Sequence, residues 1–406
     1  MSLDEQGIGN FLLESGDSYS HEQEQVIQRI MDFIQKNINR QHAILTIKGD
    51  AGTGKSVVLF EAFLQLQAFA LNSSKSDLFR TENRLLVNHA EMLKIYRKLS
   101  ETSAILKKKY FMKPTPFINQ MDKLDQLCDV VFIDEAHLLL TESDNYNQFH
   151  QENQLIEIIK HAKIVILIFD SHQVLKFKSQ WYDEDLNHIL SQYTHETMTL
   201  KKQYRIQDKY QDVTSWINTL TMNRMIVPHV QTDTFDFRIY NSAAKLYEAI
   251  QRRNTSNGLS RMLATTDYSY TVGKGKWYVS TADFKLPWDQ LNVGTEPWAL
   301  RPETIHEVGS IYTIQGFDLN YAGVIIGPGI TYDKNKQKII VTSDRYQDKA
   351  AFRVTKGHCF NEKDKQRIML NALNVLLKRG RKGLYIYAHD QALREAFNNI
   401  KIDKAV

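Results

Sequence analysis

Cysteine is nearly absent. The two thiols, Cys128 and Cys359, lie far apart with no second cysteine at metal-binding spacing beside either, which excludes a disulfide framework and a cysteine-rich zinc module. Both read as core or surface thiols. Seven prolines and 18 glycines are too few for a collagen-like, proline-rich or linker-rich architecture. No apolar run approaches the about eighteen residues that a membrane span needs. The N-terminus Met1-Ser2-Leu3-Asp4-Glu5 lacks the basic and apolar regions of a signal peptide, so the expectation is a cytoplasmic protein without a membrane partner. A large charge of one sign is missing too: 51 basic against 47 acidic side chains leave +4, which permits nucleic-acid binding without indicating it.

What is present is the ordinary mixture of a globular chain, 42% hydrophobic and 24% charged over 406 residues. At roughly 100–200 residues per domain, that length predicts two to four units. Short apolar runs alternate with helical patterns, as in parallel α/β folds. The first series is 43–47, 84–87, 130–133 and 164–169, and the second is 237–240, 261–264, 323–326 and 384–387. Two α/β units in tandem, joined between about 206 and 235, are the economical reading. Residues 267–303 differ, with Trp277, Trp288 and Trp298 in a stretch without clear periodicity. It reads as an irregular insertion with short strands, its aromatics either packing a satellite core or forming a base-stacking platform.

The segment Gly49-Asp50-Ala51-Gly52-Thr53-Gly54-Lys55-Ser56 fits G-x-x-x-x-G-K-[ST], directly after an expected strand and opening an expected helix through Val57, Val58, Leu59, Ala62 and Phe63. Its glycines let backbone N–H groups turn inward around phosphate oxygens, and the helix N-terminus adds partial positive charge. Lys55 is placed to reach the β- and γ-phosphates of ATP, and Ser56 to bind Mg²⁺. After the run 130–133 comes Asp134-Glu135-Ala136-His137. A carboxylate at a strand end can hold the metal shell, and its neighbour can polarise the attacking water, so Asp134 takes the metal role and Glu135 the base role. His137 reads as a coupling residue or as a satisfied polar residue.

With these motifs in place the sequence resembles the superfamily 1 helicase-like ATPases. It is most similar to the Schlafen group 3-like DNA/RNA helicase domain family of bacterial proteins, over about residues 19–398. Phe169-Asp170-Ser171-His172-Gln173 resembles the third helicase motif, which implies that Gln173 senses the γ-phosphate. Leu200-Lys201-Lys202-Gln203-Tyr204-Arg205 resembles the motif in which Tyr204 would stack on adenine and Arg205 would contact the γ-phosphate. Tyr312 to Asp318 with Tyr321 to Gly327 is the most family-specific stretch, and through it the resemblance assigns Gly316 and Asp318 to the nucleotide. Val375 to Gly383 resembles the last motif, with Arg379 as arginine finger. Arginines brought from a second domain stabilise developing γ-phosphoryl charge only when the cleft closes.

Tyr19-Ser20-His21-Glu22-Gln23 resembles the entry motif whose Gln23 reads adenine, although Ser20 and Gln23 also make a helix capping box unaided. The resemblance further implies that Asn88, Thr115, Phe117 and Thr313 contact a nucleic-acid backbone. Lys107 to Lys113 is basic with interleaved aromatics, which suits either a single-strand groove or a solvated face. Two departures stand out. Lys378 occupies the place of a usual Thr before the finger arginine, and Asp134-Glu135-Ala136-His137 is spelled as in a superfamily 2 group whose other signature is missing.

The fold implied is two tandem RecA-like P-loop domains with parallel sheets and the nucleotide in the interdomain cleft. The boundaries expected are a tail 1–18, domain 19–205, domain 206–400 and a tail 401–406. The function implied is ATP hydrolysis with Mg²⁺, coupled to single-stranded DNA or RNA, as a translocase or helicase. The alternative is a regulatory ATPase switch with a nuclease or phage-defence protein as partner.

Overall fold

The apolar runs become strands because they carry aliphatic side chains on both faces, the pattern of a parallel sheet covered by helices on both sides. A computed structural model describes residues 19–40, 42–49, 52–170, 173–200, 212–228, 234–271, 275–288, 296–314, 317–353 and 360–399. By Cα packing, the described residues up to 200 form one unit and those from 212 onward another.

In the first unit the strands are β1 (Ala43–Gly49), β2 (Asn83–Val87), β3 (Phe111–Met112), β4 (Cys128–Asp134), β5 (Ala162–Phe169) and β6 (Thr194–Leu200). They form one sheet in the order β3-β2-β4-β5-β1-β6, with every neighbouring pair parallel. Among the described residues its first four helices are α1 (His21–Asn37), α2 (Lys55–Asn72), α3 (Ala90–Leu99) and α4 (Pro114–Leu124). Ser20 and Gln23 cap α1 reciprocally, as their spacing suggests. The sequence reading found β1, β2, β4 and β5 but neither β3, only two residues long, nor β6. The latter is an edge strand whose side chains are mostly partly or fully exposed, so it has no apolar run to show.

In the second unit the strands are β7 (Asp236–Ile239), β8 (Ser260–Ala264), β9 (Tyr278–Ser280), β10 (Lys285–Pro287), β11 (Val308–Gly309), β12 (Leu319–Ile326), β13 (Ile330–Asp333), β14 (Lys338–Val341) and β15 (Gly380–Ala388). Five of them make a parallel sheet in the order β11-β8-β12-β15-β7, while β9–β10 and β13–β14 are antiparallel pairs. The aromatic stretch 267–303 contains the β9–β10 pair, and its Trp288 and Trp298 are fully buried. Trp288 packs edge-on to Tyr268 with ring centroids 6.3 Å apart, so core packing accounts for these two rings and base stacking does not. Cys128 is a buried free thiol, pushed up to about 12 chiefly by burial, while Cys359 lies outside the described residues. Among the described residues no helix is long and apolar enough to cross a membrane.

Past the end of β8, Asp267 is buried and accepts a hydrogen bond from Thr265 Oγ1 at 3.0 Å. Gly327 and Gly329 close over it, since a Cβ on either would come within 2.8 or 3.0 Å of its side chain. Burial pushes its carboxyl up to about 6, against the pull of the Thr265 and Gly329 hydrogen bonds. A carboxyl raised in the folded state costs stability as pH rises from its unfolded value near 4 through its folded one. The Asp267→Asn variant should therefore equal the parent near pH 4 and exceed it above pH 6, by up to about 3 kcal/mol in denaturant unfolding. Parallel stability profiles for the two proteins across that range would disprove the assignment.

Candidate nucleotide site

At the carboxyl end of β1 the chain must turn sharply into α2, and it does so through left-handed glycines. Gly52 has φ 87° and Gly54, the residue before the helix, φ 78°, values that a side chain would strain. A Cβ on Gly49 would lie 2.8 Å from Thr53 Oγ1 and 3.0 Å from the Leu200 carbonyl, so this residue is also fixed by space. Asp50 and Ala51 lie outside the described residues.

Sheet order then decides which side chains meet. Strand β5 lies between β1 and β4, so the ends of all three strands come together at one edge, where parallel α/β sheets place their ligands. Lys55 Nζ donates to the Gly49 carbonyl at 2.7 Å and lies 3.3 Å from Asp170 Oδ2, in a pair whose side chains are both nearly fully buried. Gln173 Nε2 donates to the same carboxylate oxygen at 2.6 Å. One helical residue on, Ser56 Oγ donates to Asp134 Oδ1 at 3.1 Å. The backbone N–H of Glu135 donates to that oxygen at 2.9 Å, and the Tyr96 hydroxyl donates to Oδ2 at 2.5 Å. Burial first, then the neighbouring Glu135 charge, push the Asp134 carboxyl up to about 7, while these three hydrogen bonds pull it back.

Glu135 adopts a left-handed backbone at φ 53°, uncommon for a residue with a side chain and costing about 1–3 kcal/mol. That turn lets two consecutive acids serve different partners. Asp134 faces Ser56 and Tyr96, whereas Glu135 Oε2 lies 3.0 Å from Nε2 of the fully buried His137. His137 also meets the Phe169 ring edge-on at 6.5 Å.

The donor set fits a magnesium ion. Ser56 and Asp134 offer a hydroxyl and one carboxylate, all oxygen, and such ions are commonly held by one or two carboxylates with substrate phosphates and water. Among the described residues no group of three or more His, Cys, Asp or Glu forms a metal cage.

Of the other expected positions, Gln23 caps α1, its Oε1 accepting from the Ser20 N–H at 3.0 Å. Arg379 is 1% exposed in the second unit; its Nε donates to the Val375 carbonyl at 3.1 Å, and Nη1 lies 4.0 Å from Asp318 Oδ1. Lys378, in the place of the usual Thr, is fully buried. Tyr204, Arg205 and Gly316 lie outside the described residues.

Asn88 Nδ2 donates to the Leu138 carbonyl at 2.7 Å, and Thr115 accepts from Gln154 Nε2 at 2.9 Å. Thr313 is buried, with its hydroxyl bonded to the backbone N–H and carbonyl of Ser310. Phe117 is buried in the first unit's core, so its ring is a packing group with no face open to a polymer. Asp170 and Tyr96 were not singled out from sequence. For Asp170 a signal existed, since it directly follows the apolar run 164–169 and stands three residues before Gln173; for Tyr96, in mid-helix, none did.

Three comparisons bear on this arrangement. Residues 42–390 match the family described as Schlafen group 3, DNA/RNA helicase domain. A relative from Saccharomyces cerevisiae, described as "Uncharacterized protein YPL245W", is 37% identical over 93% of this chain and 89% of its own length. It is a yeast protein, so the resemblance extends beyond bacterial proteins. Two solved structures are similar at a TM-score of 0.37 each: the PRRSV helicase (12% identity, 88% of this chain and 54% of that one) and the Pif1 helicase from Candida albicans (13%, 95% and 100%). The assignment therefore rests on the family match across most of the sequence. This chain belongs to the Schlafen group 3, DNA/RNA helicase domain family.

Proposed function

We propose that the chain hydrolyses ATP and couples hydrolysis to holding a single-stranded nucleic acid, as a helicase or translocase built from two RecA-like units. The observation that carries this reading is the convergence of Lys55, Ser56, Asp134, Asp170 and Gln173 at one edge of one parallel sheet. In this reading the phosphates enter the cradle of 49–56, and Lys55 exchanges its Asp170 partner for β- and γ-phosphate oxygens. Glu135 takes the proton of the attacking water, and Gln173 reads the γ-phosphate. Bound magnesium would neutralise the β- and γ-oxygens, held through Ser56 and Asp134. Arg379 of the second unit, with Arg205, would meet the γ-phosphate across the interdomain cleft, and Tyr204, Gly316, Asp318 and Gln23 would hold the nucleotide. Asn88, Thr115 and Thr313 are proposed as backbone contacts.

The test is steady-state ATP turnover with single-stranded DNA, single-stranded RNA or no polymer. Stimulation by a strand is expected. Binding should be mainly to phosphate, so log K should fall against log salt by about 0.7 for each phosphate neutralised. The Lys107 to Lys109 lysines are exposed, and Lys108 pairs with Glu101 at 2.6 Å, as on a solvated face. Replacing Lys107, Lys108 and Lys109 together with Ala should leave that slope unchanged; a flatter slope would put the run in the polymer groove. A parent protein that binds no single strand at low salt, with or without an ATP analogue, would sink the motor reading.

A further inference from the structure

Hydrogen bonds to both oxygens of a fully buried carboxylate fix its plane, and so the direction in which it meets a metal shell. Asp134 is such a group, with 0% exposure and Glu135 next to it. The P-loop supplies one donor, Ser56 on Oδ1, and the strand end supplies the Glu135 N–H on the same oxygen. Both leave Oδ2 unconstrained. The donor to Oδ2 is Tyr96, 38 residues away in sequence on α3.

Its placement is built rather than incidental. β2 pairs with β4 in parallel, Val87 opposite Asp134, and α3 follows β2, so the helix lies over the metal-side strand end. The Tyr96 ring is immobilised on the Phe111 ring, parallel within 2° at 5.6 Å, with Phe60 at 5.5 Å. A fully buried, stacked ring aims its one polar atom at one carboxylate oxygen. Partners of this kind commonly fix ligand orientation, and their loss costs about 10–100-fold in metal affinity.

We propose that Tyr96 is a positioning residue of the magnesium site, holding the plane of the Asp134 carboxylate so that Ser56 and Asp134 present their oxygens together. This rests on the reading of the P-loop edge as a magnesium–nucleotide site. Tyr96→Phe keeps the ring stack and removes only the hydroxyl. The measurement is binding of a fluorescent non-hydrolysable ATP analogue to the full chain, titrated with Mg²⁺, alongside Mn²⁺ binding followed by electron paramagnetic resonance.

The expected result is a midpoint in both metals raised about tenfold or more in Tyr96→Phe, with analogue affinity in chelator unchanged. A parental midpoint in the variant would overturn the proposal. If the parent itself binds no analogue at any Mg²⁺ concentration, the nucleotide reading fails instead, and the two failures are thereby distinguished. Should Tyr96→Phe not fold, Phe111→Leu decides, since it loosens the stack that holds the Tyr96 hydroxyl on Oδ2 and keeps both the hydroxyl and Asp134. A raised Mg²⁺ midpoint in that variant supports the role, and a parental midpoint overturns it.

Discussion

Glu135→Gln is expected to bind ATP with parental affinity and to turn it over about 10²–10⁴-fold more slowly, the range that a positioned general base contributes. The substitution conserves size at a left-handed position beside the buried His137. It also removes the second cause, after burial, that raises the Asp134 carboxyl, and it leaves the Ser56 and Tyr96 hydrogen bonds to that carboxylate in place. Lys55→Ala should differ in kind. It removes the point charge on the phosphates and the cation beside buried Asp170, so nucleotide affinity falls along with turnover. Breaking a buried ion pair typically costs about 3–5 kcal/mol, so this variant should also melt lower, which Glu135→Gln should not. Equilibrium binding, single-turnover hydrolysis and thermal melting on the same preparations check all three. Parental single-turnover rates in Glu135→Gln would mean that another group takes the proton.

That contrast depends on a pairing the sequence does not display. The P-loop could be read directly because its backbone needs positive φ at Gly52 and Gly54, and only a few residue types supply it. The strand ends could be read because a run buried on both faces is continuous in composition, as in β4 and β5. Pairing Lys55 with Asp170, 115 residues apart, required the order β4-β5-β1, which local composition does not encode. Phe117 shows the opposite error. The resemblance put its ring on a polymer, although Phe117, Ile118 and Met121 already repeat at helical spacing as a core face, and they pack inward. For β6 the difficulty was position: as an edge strand it buries few side chains, and Thr-His-Glu-Thr-Met-Thr-Leu has no apolar run to find.

The arginine of the second unit carries the other large expected effect. Arg379→Ala should lower turnover about 10³-fold or more, the low end of what an arginine finger contributes, while ADP affinity stays at the parental value. Burial makes a structural contribution certain as well. The guanidinium donates to the Val375 carbonyl at 3.1 Å and lies 3.5 Å from that of Phe317, and leaving buried acceptors unsatisfied costs about 1–3 kcal/mol. A lower melting temperature therefore cannot identify the role by itself. Arg379→Lys separates the two contributions: it keeps the charge and most of the stem packing but lacks the planar fork. If Arg379 acts on the γ-phosphate, Arg379→Lys should recover much of the melting temperature and little of the turnover. If it is a strut joining the helix Glu362–Leu377 to the Phe317–Asp318 segment before β12, both should recover together, and single-turnover hydrolysis in Arg379→Ala should be parental once the assay is run well below its melting point.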